Sequence, residues 1–401
     1  MTRGDRWIII LALVLTAVGL VMVYSSSSFT AFVRKGDENY FLRQQVLRTL
    51  LGLGALWACA RALSLRVLEA AAPWVLGAAC VLLVAVVGMG HMSNGATRWL
   101  RFGVMSIQPT DMARLATVVF LAWWLKRRPV AEHGFVRGLL PPLVIVGIVA
   151  ALILKQPNLS SAALLLVTGF VMLFLSGAPV RFLAAPLAGG VGAVALALAT
   201  HPYMMRRVHT FVDFVLGRAD GRDAGFQLDQ SLIAIGSGGL TGRGLGAGMQ
   251  KLLFLPEAHT DFIFSIIAEE LGFIGTTALL VVIGLLLWRG MRVAARCSEP
   301  FACLVAGGLT VHIGLYALAN LAVATGLAPT TGLPLPFVSY GGSALLANLA
   351  AAGILYRISA LNGESEALTR QRWAREGAWR SSSRGAAPAA TCSRASPSPK
   401  S

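Results

Sequence analysis

Long apolar runs separated by short polar segments dominate the hydrophobic pattern of this chain. A helix needs about 20 largely apolar residues to cross the roughly 30 Å hydrocarbon core of a membrane. Ten runs approach that length, and each predicts a transmembrane helix. The ten predicted spans are 7–25, 45–63, 68–89, 109–125, 139–154, 160–177, 181–200, 260–288, 300–324 and 341–360.

The composition supports a membrane protein. Apolar residues make up 56% of the chain and charged residues 13%, with a mean hydropathy of +0.70; soluble globular proteins carry about 25% charged residues. Water could not accommodate this much apolar surface, which excludes a soluble enzyme and a disordered chain. The net charge of +16 would suggest nucleic acid in a polar protein. Here we expect no nucleic-acid partner and assign the charge to membrane orientation and anionic lipid.

The basic residues predict the orientation. With the N-terminus in the cytoplasm, the short inner segments carry more Lys and Arg than the short outer ones, as the positive-inside rule requires. Ten spans return the C-terminus to the cytoplasm. The sequence thus predicts an all-α membrane domain over 1–360, with a large extracytoplasmic loop, 201–259, between the seventh and eighth spans. Residues 361–401, rich in Ser, Arg, Ala and Pro, predict a disordered basic cytoplasmic tail.

Polar residues gather on the predicted outer face, and the densest stretch begins the eighth span. Asp261 lies at the outer end of that span. It is either a helix-start charge that favours the helix dipole or a carboxylate that takes a proton from a substrate hydroxyl. Glu269 and Glu270 lie about two turns deeper. Ionisable residues at such depth are functional candidates by default, and packing against Arg side chains is the alternative.

A second polar cluster lies in the second outer loop and the start of the fourth span. Arg98 and Arg101 flank Trp99 and carry guanidinium groups, which pair with phosphate oxygens. Trp99 taken alone would be an interfacial anchor. Asp111 and Arg114 are three residues apart and share a helix face, which predicts a local ion pair.

Two further clusters complete the predicted face. Residues 225–251 are rich in glycine; backbone N–H groups there, with Arg243 and Lys251, suit a pyrophosphate, and a flexible loop is the alternative. Pro334–Ser343 predicts an irregular approach to the last span, which a membrane tolerates only when it is buried in protein or lines a cavity. The candidate substrate-binding residues are Trp99, Arg98, Arg101, Arg243, Lys251, Glu257, His259, Ser339 and Gly341.

Together these motifs resemble the SEDS family (shape, elongation, division and sporulation), whose members include FtsW, RodA and SpoVE. The resemblance runs from Gly19 to Leu349 and is most specific over Gly225–Gly272 and Thr331–Ser343. It implies a ten-helix membrane fold and peptidoglycan glycosyltransfer on the outer face, with lipid II as donor and acceptor. It also implies that the family's catalytic carboxylate is Asp261, in Pro256-Glu257-Ala258-His259-Thr260-Asp261-Phe262, and that its functional Trp is Trp99.

The chain departs from the family pattern at four positions. Asp111 and Arg114 stand where the family commonly has Glu and Lys, and Asn158 and Ser160 stand where it commonly has Asp and Gly. The motifs around Tyr24, Leu255 and Pro329 look more like FtsW than RodA. That likeness implies cell division at the septum of the bacterial cytoplasmic membrane. It also implies a class B penicillin-binding protein transpeptidase and other divisome membrane proteins as partners.

Three alternatives stay open at this point. The chain could instead flip lipid II across the membrane, polymerise it in RodA-like elongation, or act as a scaffold that activates a partner. Leaving pyrophosphate needs cationic stabilisation, for which a divalent cation, Mg²⁺ or Mn²⁺, is a candidate. The six His show no ligand spacing, and the five Cys are scattered, so we expect no disulfide framework.

Overall fold

The computed structural model describes residues 4–89, 91–93, 96–102, 105–200, 202–218 and 223–385, with the backbone alone at 89, 91–93, 96–98, 101–102, 105, 203, 223–224 and 364–385. The helices are α1 (Arg6–Lys35), α2 (Tyr40–Arg61), α3 (Leu65–Met89), α4 (Pro109–Arg127), α5 (Val130–Gly134, continued by a π-helical turn at Phe135–Leu139), α6 (Leu140–Leu154), α7 (Leu159–Leu175), α8 (Val180–Thr200), α9 (Pro202–Val215), α10 (Asp223–Gly238), α11 (Ile263–Arg296), α12 (Pro300–Ala324) and α13 (Gly342–Gly385).

Each of the ten predicted spans coincides with a helix: α1 to α4, α6 to α8, and α11 to α13. Seven helical stretches of the described chain are long and apolar enough to cross a membrane by length and composition. Among these, α12 is buried on nearly all sides and packs against α4, α7, α11 and α13. By contrast, α8 is mostly exposed. A helix that is apolar all round belongs in the interior of a bundle, so α12 is the central helix.

The structure corrects three expectations outside the spans. First, the helical fold also contains three short strands that the sequence did not predict, and they form an antiparallel sheet in the order β1-β2-β3. Second, the loop 201–259 contains two helices, α9 and α10. Third, the tail from 361 starts as a helix, since α13 continues to Gly385; residues 386–401 lie outside the described part. The strands are β1 (His91–Ser93), β2 (Ala96–Phe102) and β3 (Met105–Ile107).

Local propensity accounts for these corrections. Strand β2 contains Thr97, Trp99 and Phe102, residue types that favour a pleated, half-buried surface. The continuation of α13 is rich in Ala, Leu, Glu, Gln and Arg, which are good helix formers. A helix already nucleated by packing extends through such residues at little cost.

Helix α11 is broken at Gly272, where φ is 65° and ψ is −165°. Only glycine adopts this backbone region readily. A Cβ atom at Gly272 would lie 2.6 Å from the carbonyl oxygen of Leu240, so the glycine-rich turn after α10 packs directly against the break. Four backbone hydrogen bonds join the two segments: Arg243 N to Glu269 O, Gly244 N to Glu270 O, Phe273 N to Gly239 O and Ile274 N to Leu240 O.

We predict that Gly272→Ala destabilises the protein, whereas Gly284→Ala on the same helix does not. The first change adds a Cβ against backbone in a conformation that Ala does not adopt, for which we expect a loss of about 1–3 kcal/mol. Gly284 has nothing within 4 Å of the added atom, and Ala favours a helix by about 1 kcal/mol. Thermal unfolding in detergent micelles measures both. Equal Tm values for the two variants would contradict the role assigned to Gly272.

Candidate active site around Asp261

Asp261 lies in a tight turn that leads into α11. The N–H groups of Thr260 and Asp261 donate to the carbonyl oxygen of Glu257, at 3.1 and 3.2 Å. The helix begins at Ile263 with Phe262 as its N-cap and has no acidic residue in its first turn. Asp261 therefore precedes the helix, and the interpretation as a first-turn charge is wrong.

Helix α12 and the segment before α13 also contact Asp261. The amide of Asn320, on α12, donates to the carbonyl oxygen of Asp261 at 2.8 Å and to that of Leu333 at 2.7 Å. Gly332 has φ 71°, and a Cβ there would lie 3.3 Å from Asp261 Oδ2. One buried amide thus joins the 257–261 turn to the segment before α13, and the carboxylate of half-buried Asp261 lies next to Gly332.

A cluster of aromatic rings packs against the turn that contains Asp261. Tyr340 N donates to the carbonyl oxygen of His259 at 2.9 Å, and the His259 ring packs 4.8 Å from Phe41 and 5.4 Å from Tyr340. Burial, with a smaller contribution from the Arg34 charge, lowers the pKa of His259 below its usual value; the Glu257 carboxylate opposes that shift. The imidazole is therefore neutral at pH 7 and acts as a packing group.

Arg48 was not among the predicted site residues, yet the structure places it in this cluster. Its guanidinium lies 4.6 Å from the centre of the Tyr340 ring, and Nη2 donates to Gln44 Oε1 at 3.0 Å. Nη1 is buried and has no hydrogen-bond partner among the described residues. A Cβ at Gly342 would lie 3.0 Å from Nε. The signal in the sequence was an ionisable residue within a predicted span.

The predicted ion pair between Asp111 and Arg114 is present and buried. Arg114 Nη2 donates to Asp111 Oδ1, and Ser343 Oγ donates to Asp111 Oδ2 at 2.6 Å. The Arg114 guanidinium lies 3.9 Å from the Tyr316 ring centre, on α12. This pair thus joins α4 to the start of α13 and to the central helix.

The three-stranded sheet also contacts the start of α13. A Cβ at Gly342 would lie 3.3 Å from the carbonyl oxygen of Ser106, so β3 lies against the start of α13. Trp99, on β2, is partly exposed and pairs with His91 across the sheet. The side chains of Arg98 and Arg101 lie outside the described residues.

Ser339 and Gly341 stabilise the approach to α13. Ser339 Oγ accepts from Leu335 N at 2.8 Å, and its carbonyl oxygen accepts from Gln45 Nε2 at 3.5 Å. The carbonyl oxygen of Gly341 accepts from Leu345 N at 3.2 Å. Their proposed contact with substrate stays a prediction, since the Ser339 hydroxyl already holds the turn.

The two glutamates of α11 bind the glycine-rich segment. Glu270 Oε1 pairs with Lys251 Nζ at 2.6 Å, and Ser25 Oγ on α1 donates to the same carboxylate at 2.7 Å. Gly246 N donates to Glu270 Oε2 at 3.1 Å. Glu269 accepts from the N–H groups of Met249 and Gln250 and lies 3.9 Å from Arg243 Nη1. Lys251 and Arg243 are therefore paired with carboxylates in the structure.

Asn158, which replaces a family Asp, caps α7. Its Oδ1 accepts from Ser161 N at 3.3 Å. Asn and Asp are about equally good N-caps, so the amide oxygen keeps the capping contact that a carboxylate would make.

The described residues contain no group of three His, Cys, Asp or Glu side chains that could hold a metal ion. Protein side chains alone therefore do not form such a metal site in that part of the chain. Cys59, Cys80, Cys297 and Cys303 are free thiols.

The match to known proteins extends over nearly all of the chain outside the tail. Residues 5–364 match the family model of FtsW, RodA and SpoVE, described as cell cycle proteins. The chain belongs to this family. As a family member with seven apolar membrane-length helical stretches among its described residues, it is a multi-pass membrane protein.

Its relatives include proteins named probable peptidoglycan glycosyltransferase FtsW. The one from Geobacter sp. (strain M18) is 39% identical over 362 residues, which cover 88% of this chain and 96% of the relative. The one from Halorhodospira halophila (strain DSM 244 / SL1) is 42% identical over 347 residues, covering 85% of this chain and 86% of the relative.

Solved structures of the family share the fold. A chain from a peptidoglycan synthase complex that coordinates polymerization and crosslinking superimposes with a TM-score of 0.73 at 30% identity, covering 90% of this chain and 98% of the other. The rod shape determining protein RodA of Thermus thermophilus gives 0.66 at 31% identity, covering 89% and 96%.

We predict that breaking the Lys251–Glu270 pair is costly in this family member. Glu270→Gln leaves a buried ammonium without its counter-charge, for which we expect about 3–5 kcal/mol lower stability. Adding Lys251→Met to that variant restores part of the loss. The exposed Arg43–Asp37 pair, 3.2 Å apart, is the control; Asp37→Asn should cost at most about 1 kcal/mol. Thermal unfolding of the single and double variants measures the coupling, and strictly additive effects would rule it out.

Proposed function

We propose that this chain is a peptidoglycan glycosyltransferase that polymerises lipid II at the outer face of the cytoplasmic membrane. The observation that carries the proposal is the setting of Asp261. The residue is half buried, and its backbone is held by Glu257 and Asn320 at the meeting of α12, the 257–261 turn and the segment before α13. The names of the relatives supply the reaction class.

The proposed chemistry needs one base. Asp261, as a carboxylate, takes the proton of the acceptor sugar hydroxyl while that oxygen attacks the anomeric carbon of the lipid-linked donor. The glycosidic bond forms as the bond to undecaprenyl pyrophosphate breaks. A positioned general base contributes about 10²–10⁴-fold. One carboxylate suffices here, unlike the paired carboxylates of glycoside hydrolases.

The leaving pyrophosphate needs cations, and we propose Arg48 for that role beside Arg98 and Arg101. Lys251 and Arg243 already face carboxylates, so they have less charge to offer a substrate. Arg48 is buried beside Tyr340 with one guanidinium nitrogen unpaired among the described residues. An Arg fork binds phosphate oxygens in pairs. A Mg²⁺ or Mn²⁺ ion stays a candidate, and substrate phosphates would supply most of its ligands.

The biological setting is part of the proposal. We place ten spans across the membrane with both termini in the cytoplasm, and we assign the chain to the division septum with a class B penicillin-binding protein as its transpeptidase. The name FtsW among the relatives and the fold shared with a chain of a peptidoglycan synthase complex support this. The flippase alternative relied on Glu269, Glu270 and Arg114, which the structure uses as partners of a loop and a helix.

We predict that Asp261→Asn abolishes polymer formation by at least about 100-fold while the protein still folds. The change removes the base but keeps the side-chain volume. Glycan polymerisation from labelled lipid II, by the purified chain alone and with its cognate class B penicillin-binding protein, measures the effect. Asp37→Asn, at an exposed ion pair, is the matched control. Polymer from Asp261→Asn at the control rate would refute the assignment.

We predict that Arg48→Gln lowers polymerisation by about 10- to 100-fold, while Arg43→Gln on the same helix changes it less than twofold. A charged hydrogen bond is worth about 1.5–3 kcal/mol, whereas the Arg43 side chain is 73% exposed. If Arg48 binds pyrophosphate, Arg48→Lys recovers part of the rate because it keeps the charge. Equal loss in the Gln and Lys variants, with unchanged Tm, would argue against a charge effect.

A further inference from the structure

A polar cavity of about 220 Å³ lies where α1 begins and where α11 and α13 leave the bundle, far along α11 from Glu270. Its lining includes Asp5, Arg289, Arg292, Arg296, Ser359 and Asn362. Asp5 N donates to Ser359 Oγ at 2.9 Å, and Asn362 Nδ2 donates to the carbonyl oxygen of Val293 at 3.3 Å. The cavity is thus framed by contacts among the start of α1, the last turns of α11 and the middle of α13.

The cavity carries an excess of positive charge. Arg289 pairs with Asp5 at 3.2 Å. Arg292 and Arg296 form no ion pair with any other residue of the described chain, which leaves two guanidinium charges at the cavity. Positions 289, 292 and 296 share one face of α11. Clustered guanidinium groups of this kind bind phosphate groups bidentately.

Two tryptophans mark the depth of the cavity in the membrane. The Arg289 guanidinium lies 4.9 Å from the Trp288 ring centre and 6.0 Å from that of Trp7, and Arg292 lies 5.4 Å from Trp288. Both rings are more than half exposed. Exposed Trp side chains collect at the level of the lipid headgroups, so the cavity lies at that level.

The helix surfaces beyond the tryptophans suit acyl chains. On α11, Val281 and Leu285 are exposed on the same face as Trp288 and Arg292. On α1, Ile10 and Val14 are exposed on the face of Trp7. Each helix therefore presents apolar side chains, then an aromatic ring, with the guanidinium groups next. That order matches the tail, interface and headgroup of a phospholipid.

We propose that this cavity binds the phosphate headgroup of an anionic membrane phospholipid, with its acyl chains along α1 and α11. Basic pockets between helices on the cytoplasmic side of membrane proteins bind such headgroups. The site is separate from Asp261 and does not depend on the proposed glycosyltransfer. Its occupant would contact the start of α1, the last turns of α11 and the middle of α13.

The test is native mass spectrometry of the full chain in detergent, titrated with phosphatidylglycerol or phosphatidylcholine. We expect the wild type to prefer phosphatidylglycerol and Arg292→Gln/Arg296→Gln to bind it about 30-fold more weakly. That is about 2 kcal/mol at 1.4 kcal/mol per factor of ten, at about 1 kcal/mol for each basic residue. Arg292→Lys/Arg296→Lys should keep most of the affinity.

The control is Arg127→Gln/Arg128→Gln, which removes the same charge from exposed positions at the end of α4. Lys126 beside them pairs with Glu299, so these residues lie near the end of α11. We expect this control to change lipid binding less than twofold. An equal loss in the control would overturn the site in favour of a diffuse basic surface.

Two further outcomes would overturn the proposal. The first is an unchanged affinity for phosphatidylglycerol in the Arg292→Gln/Arg296→Gln variant. That result would mean that carboxylates, such as those of Glu364 or Glu366 just after Gly363 in the sequence, neutralise these arginines in place of a lipid. Competition by glycerol 3-phosphate or inorganic phosphate at the concentration at which the lipid binds would identify a soluble anion as the ligand. Absence of such competition supports a membrane lipid.

Discussion

The break in α11 at Gly272 is the constraint on which the active end of this protein depends. A membrane tolerates interrupted helices only where the freed backbone groups find partners inside the protein. Here the partners are the backbone groups of 239–244, and Glu269 and Glu270 add their carboxylates to the same segment. The break separates a short buried helical piece, Ile263–Leu271, from the long remainder of α11. Asp261 precedes that piece, so its position is set by the pairing at Gly272.

The carboxylates near this short helical piece differ in how deeply they are buried. Around Glu270 and Asp111 each buried carboxylate has a cation and a hydroxyl donor, Ser25 or Ser343, within hydrogen-bond distance. Burial of such pairs is tolerated when further hydrogen bonds accompany the ion pair, and here Ser25 and Ser343 supply them. Asp261 is instead half buried, and its carbonyl oxygen is held by the Asn320 amide. In the proposed reaction the carboxylate would have to reach the proton of the acceptor hydroxyl, and the held backbone fixes the point from which it does so.

The sequence predicts the membrane helices well because hydropathy reports the one property that lipid demands of a span. The Asp111–Arg114 pair followed from spacing alone, and the choice of Asp261 as the candidate base came from a motif and stays a prediction. Gly272, Arg48 and the small sheet did not follow, since each depends on contacts between distant segments. Gly272 stands within an apolar run, and only the approach of Leu240 shows why glycine is needed there. The role proposed for Arg48 depends on its contact with Tyr340, which lies almost three hundred residues away in the sequence.

Helices α1 and α11 connect the two ends of the molecule. Ser25 on α1 contacts Glu270 on α11, and Asp5 contacts Arg289. The contacts lie about 20 residues apart on each helix, which at 1.5 Å per residue is about 30 Å. That distance is the thickness of the hydrocarbon core. The two antiparallel helices are therefore joined by polar contacts about 30 Å apart along their length, at 1.5 Å per residue. A lipid bound beside Arg289 would contact the same pair of helices that holds Glu270, at the opposite end of that pair from the break at Gly272.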